Sequence, residues 1–390
     1  MPRAWIRFTD AHPWLSSAIA VAGLATISLS IAHIVGSAEK HGQGEVIETI
    51  GIISWSKDLV DHANSLRSIY HQFFPSEVRY LVSELYSNIA LYLVVPFLLL
   101  LELLFPCKTT QPLISRGFLQ DMIWFVAIAP AKIFILFPIA ALLRMLFNEY
   151  LPFLMIEDAA AWPLYVQVIA AVFVSEFLAW FNHFVRHKIK ALWLFHAVHH
   201  SQKELNVFTD DRAHVIDLLI LSLLAYIPFF IFQVPNVYAV TIVGMYTAIH
   251  NRFIHANIKI NLGWLGWLFV SPQFHRVHHS ALVEHHDKNF GRTLSFFDYI
   301  FGTAYNSRKV YPETGIDDTT FPDEQKLRIR QLPGNWLKQT IYPFIQLFRR
   351  RLHLLRLNPF EKIRSLRPKQ TNNARPRVEP LSEVYQEDEL

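Results

Sequence analysis

The sequence predicts an all-α integral membrane protein with about six transmembrane helices and a histidine-rich face on their cytosolic side. Three observations predict it: long apolar runs, loops whose charge alternates along the chain, and histidines gathered just beyond helix ends. The chain has 390 residues, of which 52% are hydrophobic and only 17% are charged. That balance is too apolar for an ordinary soluble domain of this length.

Six apolar runs give the expected number of crossings. They are Trp14 to Val35, Leu85 to Phe105, Phe118 to Phe147, Ala159 to Phe181, Val215 to Val234 and Val237 to Ile249. Roughly 20 apolar residues of helix span a hydrocarbon core about 30 Å thick, so the first five runs are long enough and the sixth is marginal. The first run is long for a secretory signal and lacks an A-x-A cleavage pattern, so we interpret it as a retained helix.

The charges of the loops predict the orientation. With a cytosolic N-terminus, residues 37–84 and 148–158 lie outside, and they carry ten acids against four bases. The inner segments 106–117 and 182–214 and the chain after about residue 250 hold most of the remaining bases, as the positive-inside rule expects. Residues 215–249 then form a helical hairpin, which returns the chain to the side where residues 182–214 lie.

Three segments are expected: N-terminal transmembrane helices of unassigned role (1–160), a membrane domain that contains the histidine-rich stretches (161–305) and a basic cytosolic tail (306–390). The tail contains a stretch with apolar residues at helical spacing, from Leu337 to Leu355, beside Arg349, Arg350 and Arg351. Such a helix suits an anionic leaflet or the protein's own cytosolic face. The single Cys107 excludes an intrachain disulfide, and no nucleic-acid partner is expected.

Histidines are strongly clustered, since thirteen of the nineteen fall between residues 183 and 286. No Gly or Pro occurs between Leu164 and Ile227, so a helix can continue past Phe181 and project His183 and His187 from one face. Two sets with i, i+3, i+4 spacing follow, which are His196, His199, His200 and His275, His278, His279. Neutral imidazole binds Zn, Cu, Fe and Ni well, and these eight residues are enough for two metal ions.

Residues from about 165 to 305 resemble the fatty acid hydroxylase and sterol desaturase superfamily of membrane di-iron enzymes. The motifs that carry the resemblance are LWLFHAVHHS (192–201), NVFTDDRAH (206–214), HAN (255–257), SPQFHRVHHS (271–280) and DKNFGRTLSFFDYIFGT (287–303). Two departures are the first box, HFVRH, in which an Arg directly after the first His is commoner, and Val215, where a Pro is frequent.

The resemblance implies a set of metal ligands: His183, His187, His196, His199, His200, His214, His255, His275, His278 and His279. His250, His286 and Glu176 are candidates for further ligands or for partners that orient ligands. The implied cofactor is a pair of iron ions, for which zinc can substitute on purification. The implied substrate is a lipid from the bilayer.

The implied activity is O2-dependent hydroxylation or desaturation of a sterol, fatty acyl or alkyl-lipid C–H bond. Because no flavin, nicotinamide or haem motif is visible, the electrons would come from an external donor, a ferredoxin or a cytochrome b5-like protein with its reductase. An inactive metal- or lipid-binding protein and a metal transporter stay open as alternatives. A zinc hydrolase is disfavoured, because no H-E-x-x-H occurs and an open catalytic zinc needs only three protein ligands.

Overall fold

The computed structural model describes residues 89–131, 137–225, 227–233, 237–305 and 307–356. The described part is helical and contains no β-strand. Its α-helices are α1 (Ile89–Leu104), α2 (Arg116–Ala131), α3 (Phe137–Tyr150), α4 (Leu164–Lys188), α5 (Lys190–His200), α6 (Val215–Ala225), α7 (Ile227–Ile231), α8 (Val237–His255), α9 (Pro272–His278), α10 (Phe296–Ile300) and α11 (Leu332–Arg356). These residues divide into two compact units between Pro343 and Phe344. The segment boundaries predicted at residues 160 and 305 stay predictions.

Within the described ranges, α4 is the one helix that is long and apolar enough to cross a membrane. The part of α1 from Val94 to Leu104 is apolar but shorter. The predicted run from Trp14 to Val35 lies outside the described residues. Six crossings and their orientation therefore stay predictions, while the all-helical architecture of the described part is confirmed.

Two predicted runs are described only in part, because residues 132–136 and residue 226 lie outside the described ranges. The described parts of the run from Phe118 to Phe147 belong to α2 and α3, and those of the run from Val215 to Val234 belong to α6 and α7. Whether each run forms one crossing stays a prediction.

The two helices that carry the first histidine motifs are separated by one residue. Helix α4 runs for 25 residues to Lys188, and Ile189 then adopts an extended conformation with φ −92° and ψ 109°. Helix α5 begins at the next residue and ends at His200. The predicted helical continuation through His183 and His187 is confirmed, and the break at Ile189 redirects the chain so that α5 can fold back toward α4.

The third histidine motif lies on a short helix with a strong N-terminus. The Ser271 hydroxyl accepts a hydrogen bond from the Phe274 N–H at 3.1 Å, and Pro272 is the first helical residue. A serine cap and a proline at the first position both favour helix initiation. The side chain of Phe274 packs in an apolar core with Leu98 of α1 and Phe253 of α8, which holds α9 against the longer helices.

Candidate metal centre

Nine of the ten histidines predicted to bind metal converge in two groups. In each group the candidate ligand atoms lie within 4.8 Å of one another. The five-histidine group is His183, His187, His196, His200 and His278. The four-histidine group is His199, His255, His275 and His279. Eight of the nine side chains are buried, and His187 is half-buried.

The nine residues come from four helices. Helix α4 presents His183 and His187, α5 presents the whole HxxHH set, and His255 is the last residue of α8. The final set lies on α9 and on the residue that follows it. Residues at i, i+3 and i+4 share one helical face, but the middle and last residues of each HxxHH set join different groups. His199 and His279 belong to the four-histidine group, whereas His200 and His278 belong to the five-histidine group.

In the five-histidine group, the Nε2 atoms of His183 and His196 face each other, and neither carries a proton in the tautomers that we assign. The Nδ1 of His183 donates to the Phe290 carbonyl at 2.8 Å, since a carbonyl can only accept. The Nδ1 of His196 lies 3.0 Å from the Asp217 carboxylate and 3.1 Å from Arg186, and we assign its proton to the carboxylate, which Arg186 also contacts. Each neutral ring has one N–H, so both Nε2 atoms carry lone pairs, and these atoms are only 3.0 Å apart. Two facing lone pairs repel, so a cation between them is the arrangement that stabilises this contact.

The spacing of the ring nitrogens also suits a metal ion. In the four-histidine group, the His255 Nε2 lies 2.8 Å from that of His275 and 3.1 Å from that of His199. The Nε2 atoms of His275 and His279 are 3.1 Å apart. Metal–nitrogen bonds are about 2.0–2.1 Å long, so two nitrogens bound to one ion lie at most about 4 Å apart. The observed separations lie within that limit.

The two groups adjoin. The rings of His200 and His279, one from each group, stack with centroids 4.4 Å apart and planes 20° apart. His275 and His278 are likewise stacked across the groups at 5.3 Å. The histidines can therefore hold two metal ions side by side.

The protonation state of the rings is that of metal ligands. Burial lowers the pKa of His278 to about 3, and burial together with neighbouring imidazoles holds the pKa of His200 and of His279 well below the usual range. Imidazole must be neutral to bind a metal. These rings are neutral at physiological pH, and the buried Nε2 of His278 has no hydrogen-bond partner within the described chain.

The motif at residues 287–303 orients two ligands of the five-histidine group. Its backbone carbonyls at Lys288 and Phe290 accept hydrogen bonds from the Nδ1 atoms of His278 and His183, at 2.7 and 2.8 Å. The buried Asp298 carboxylate holds this loop, because it accepts from the N–H groups of Phe290 and Gly291 at 2.8 and 2.7 Å. Such outer contacts fix the tautomer and direction of a ligand.

Glycine is required at one position of this loop. A Cβ atom on Gly291 would lie 2.5 Å from the Leu294 carbonyl oxygen and 2.9 Å from the Asp298 carboxylate. Both distances are too short for any side chain. Gly291 therefore lets the loop close around Asp298, which explains why the motif extends well beyond the histidines.

Asp217 orients a ligand and was not predicted from the sequence. Its Oδ2 accepts from the His196 Nδ1 at 3.0 Å and from Arg186 at 2.8 Å, and all three side chains are buried. Asp217 is an acid inside the apolar run that begins at Val215, and ionisable residues in such runs are functional candidates. That signal was available in the sequence.

Replacing Asp217 by Asn is expected to weaken metal binding about 10- to 100-fold, the usual cost of losing an outer partner of a ligand. The amide cannot supply the negative charge that raises the basicity of His196 and balances Arg186. Competition with a chelator on the purified protein measures the effect. The Asp323→Asn variant, which alters an exposed ion pair with Lys203, is the matched control and should retain wild-type affinity. Equal affinities for both variants would contradict this role.

Four predicted candidates are not brought into either group. The Nε2 of His214 donates to the Thr340 carbonyl at 3.1 Å, and its Nδ1 accepts from the Ile216 N–H. His250 is buried against Tyr246 of its own helix, and His286 is exposed. Glu176 pairs with Arg292 at 2.7 Å and accepts from the Thr293 N–H, so it braces the 287–303 motif and is not bonded to a histidine.

Two cavities reach the histidines. One, of about 430 Å³, is lined by His187, His200 and His278 together with Trp193 and Tyr342. The other, of about 150 Å³, borders both groups, and its apolar wall includes Ala179 of α4 and Leu218 and Leu221 of α6. Small molecules can thus reach the histidines through two different cavities.

Comparison with known proteins gives one family and several relatives. Residues 168–303 match the family model described as fatty acid hydroxylase. The chain is 34% identical to ornithine lipid hydroxylase OlsE of Rhizobium tropici over 145 residues. These residues are 37% of this chain and 44% of that protein. The chain is 35% identical over 145 residues to human alkylglycerol monooxygenase, covering 37% of this chain and 32% of that protein.

The chain spans less than half the length of these relatives. No solved structure matches it. The matched range contains every histidine of both groups. Residues 168–303 are therefore similar to the fatty acid hydroxylase family, and the resemblance that the histidine motifs carry is confirmed.

Proposed function

We propose that the protein is an O2-dependent di-iron membrane enzyme that hydroxylates a C–H bond of a lipid. The observation that carries the proposal is the pairing of a five-histidine and a four-histidine group around two adjoining sites. Bound iron supplies the redox chemistry with O2 that side chains lack. Hydroxylation is favoured over desaturation because the relatives are named as a hydroxylase and a monooxygenase.

The residues around the centre would bind the substrate, orient the ligands and exclude water. The apolar wall of the smaller cavity, from α4 and α6, suits the hydrocarbon chain of a lipid that arrives from the bilayer. The Asp217 carboxylate and the carbonyls of Lys288 and Phe290 hold three ligand rings in place. Burial of the rings excludes water, which protects reactive oxygen chemistry from side reactions.

The proposed substrate class is a lipid whose alkyl or acyl chain can enter that cavity. A sterol is the weaker candidate, because neither compared relative is named for one. We also propose that the centre and both termini are cytosolic, in a bacterial inner membrane or the ER. A ferredoxin or a cytochrome b5-like protein with its reductase would then reach the centre from the aqueous side.

Turnover is expected to require a separate electron donor. Hydroxylation by O2 consumes two electrons for each lipid, and none of the motifs in the chain binds a flavin, nicotinamide or haem. Membranes that contain the protein should therefore consume O2 and accumulate a hydroxylated lipid only when a reductase and carrier are added. Comparative lipidomics against the His199→Ala variant identifies the product. Full turnover without any donor, or no product across acyl and alkyl lipids with donor present, would contradict the proposal.

A further inference from the structure

Helix α11 has an unusual distribution of side chains. Its residues Leu332, Asn335, Gln339 and Tyr342 recur every three or four positions and are buried. Two of them are amides, and both are bonded inside the protein: Asn335 donates to Gln120 at 3.3 Å and Gln339 to Glu324 at 3.0 Å. The face turned toward the protein is thus largely polar.

The opposite face is apolar and exposed. Within the same unit, Leu337 is 50% exposed and Ile341 is 43% exposed. In the second unit the helix continues with exposed Phe344, Ile345, Phe348 and Leu352, and Phe348 is 62% exposed. The four residues of the second unit follow the spacing of one helical stripe. We call them the apolar stripe. A contiguous exposed stripe of this kind marks an interaction surface.

The positive charge of the helix indicates that its partner is anionic. Helix α11 contains no Asp or Glu, whereas Lys338, Arg349, Arg350, Arg351 and Arg356 are all basic. A second copy packed on the stripe would bring these cations together, which costs free energy. Anionic headgroups offer the opposite charge beside an apolar layer, the environment that basic amphipathic helices bind.

We propose that α11 lies in the surface of an anionic membrane, with the apolar stripe at the boundary between headgroups and acyl chains. The preceding half of the helix belongs to the first unit, in which Gln339 accepts a hydrogen bond from Trp124 of α2 at 2.9 Å. This membrane contact is independent of the reaction proposed above.

The test measures the depth of single fluorescent labels in the full-length protein. In a Cys107→Ser background, an environment-sensitive label is attached to a Phe348→Cys or an Arg350→Cys variant, whose positions differ by two residues and thus face opposite sides of the helix. Each protein is reconstituted in nanodiscs of phosphatidylcholine with phosphatidylglycerol. Quenching by a lipid-attached quencher then measures how deeply each label lies in the membrane, and quenching by aqueous iodide measures its exposure to water. The metal content of each variant is compared with that of the wild type to check that the protein is folded.

The lipid quencher should lower the fluorescence of the label at position 348 severalfold more than that of the label at position 350. Iodide should quench the label at position 350 more strongly. Adding Arg349→Glu, Arg350→Glu and Arg351→Glu to the Phe348→Cys variant should abolish lipid quenching, because each cation near an anionic surface strengthens binding about fivefold. Equal iodide quenching at both positions would show a helix in water. Protection of position 348 from both quenchers would show that protein covers the stripe. Either result overturns the proposal.

Discussion

Replacing His199 or His278 by Ala is expected to abolish lipid turnover, with a loss of more than about a hundredfold. Loss of an outer partner of a metal ligand already costs about 10- to 100-fold, and removing the ligand itself is more severe. His199 belongs to the four-histidine group and His278 to the five-histidine group, so each variant damages one of the two sites. O2 uptake and product formation in isolated membranes measure the effect.

His214 supplies the matched control. It was predicted as a tenth ligand, but its two ring nitrogens bond to Thr340 and Ile216. The His214→Ala variant should therefore keep its metal and most of its turnover, with a modest loss of stability. If His199→Ala and His278→Ala insert normally and turn over lipid at the wild-type rate, the metal centre is wrongly assigned. If His214→Ala loses metal as they do, His214 is a ligand.

Replacing Glu324 by Gln is expected to destabilise the protein by about 3–5 kcal/mol, the cost of breaking a buried ion pair by removing one partner. Arg212 is fully buried and donates to both oxygens of Glu324, at 2.9 and 3.0 Å, and to Asp121 at 3.0 Å. The same guanidinium donates to the Val198 carbonyl at the end of α5. Loss of the pair therefore also loosens the helix that carries three of the ligands.

Thermal unfolding of the purified protein measures this effect, and the midpoint should fall by on the order of 10 °C. The Glu313→Gln variant is the control, because Glu313 forms an ion pair with Lys108 but is 70% exposed. Exposed pairs contribute about 0–1 kcal/mol. Similar midpoints for the two variants would show that the Arg212 network does not stabilise the fold.

The two histidine groups were largely predictable because most of their members recur at helical spacing. An HxxxH or HxxHH pattern on a helix places its imidazoles on one face whatever the rest of the chain does. His255 has no such spacing, and only its resemblance to the HAN motif marked it. The division of His199 and His200 between two groups was not predictable, since it depends on where α4 and α8 lie.

The contacts of the 287–303 motif were missed because they span long stretches of sequence. Trp180 donates to Asp298 at 3.0 Å across 118 positions, and Glu176 pairs with Arg292 across 116. No periodicity connects such pairs. Glu176 was a predicted partner of the ligands, but its carboxylate is bonded to Arg292 and to the Thr293 N–H.

The metal content of the full-length protein, purified anaerobically under reducing conditions, tests the central claim most directly. The two histidine groups predict about two iron ions per chain in the wild type and fewer in the His199→Ala variant, because that variant removes one imidazole from the four-histidine group and weakens its hold on the metal. Two zinc ions would support the same sites with an exchanged metal. No more than a trace of any transition metal in a folded, membrane-inserted wild type would contradict the account.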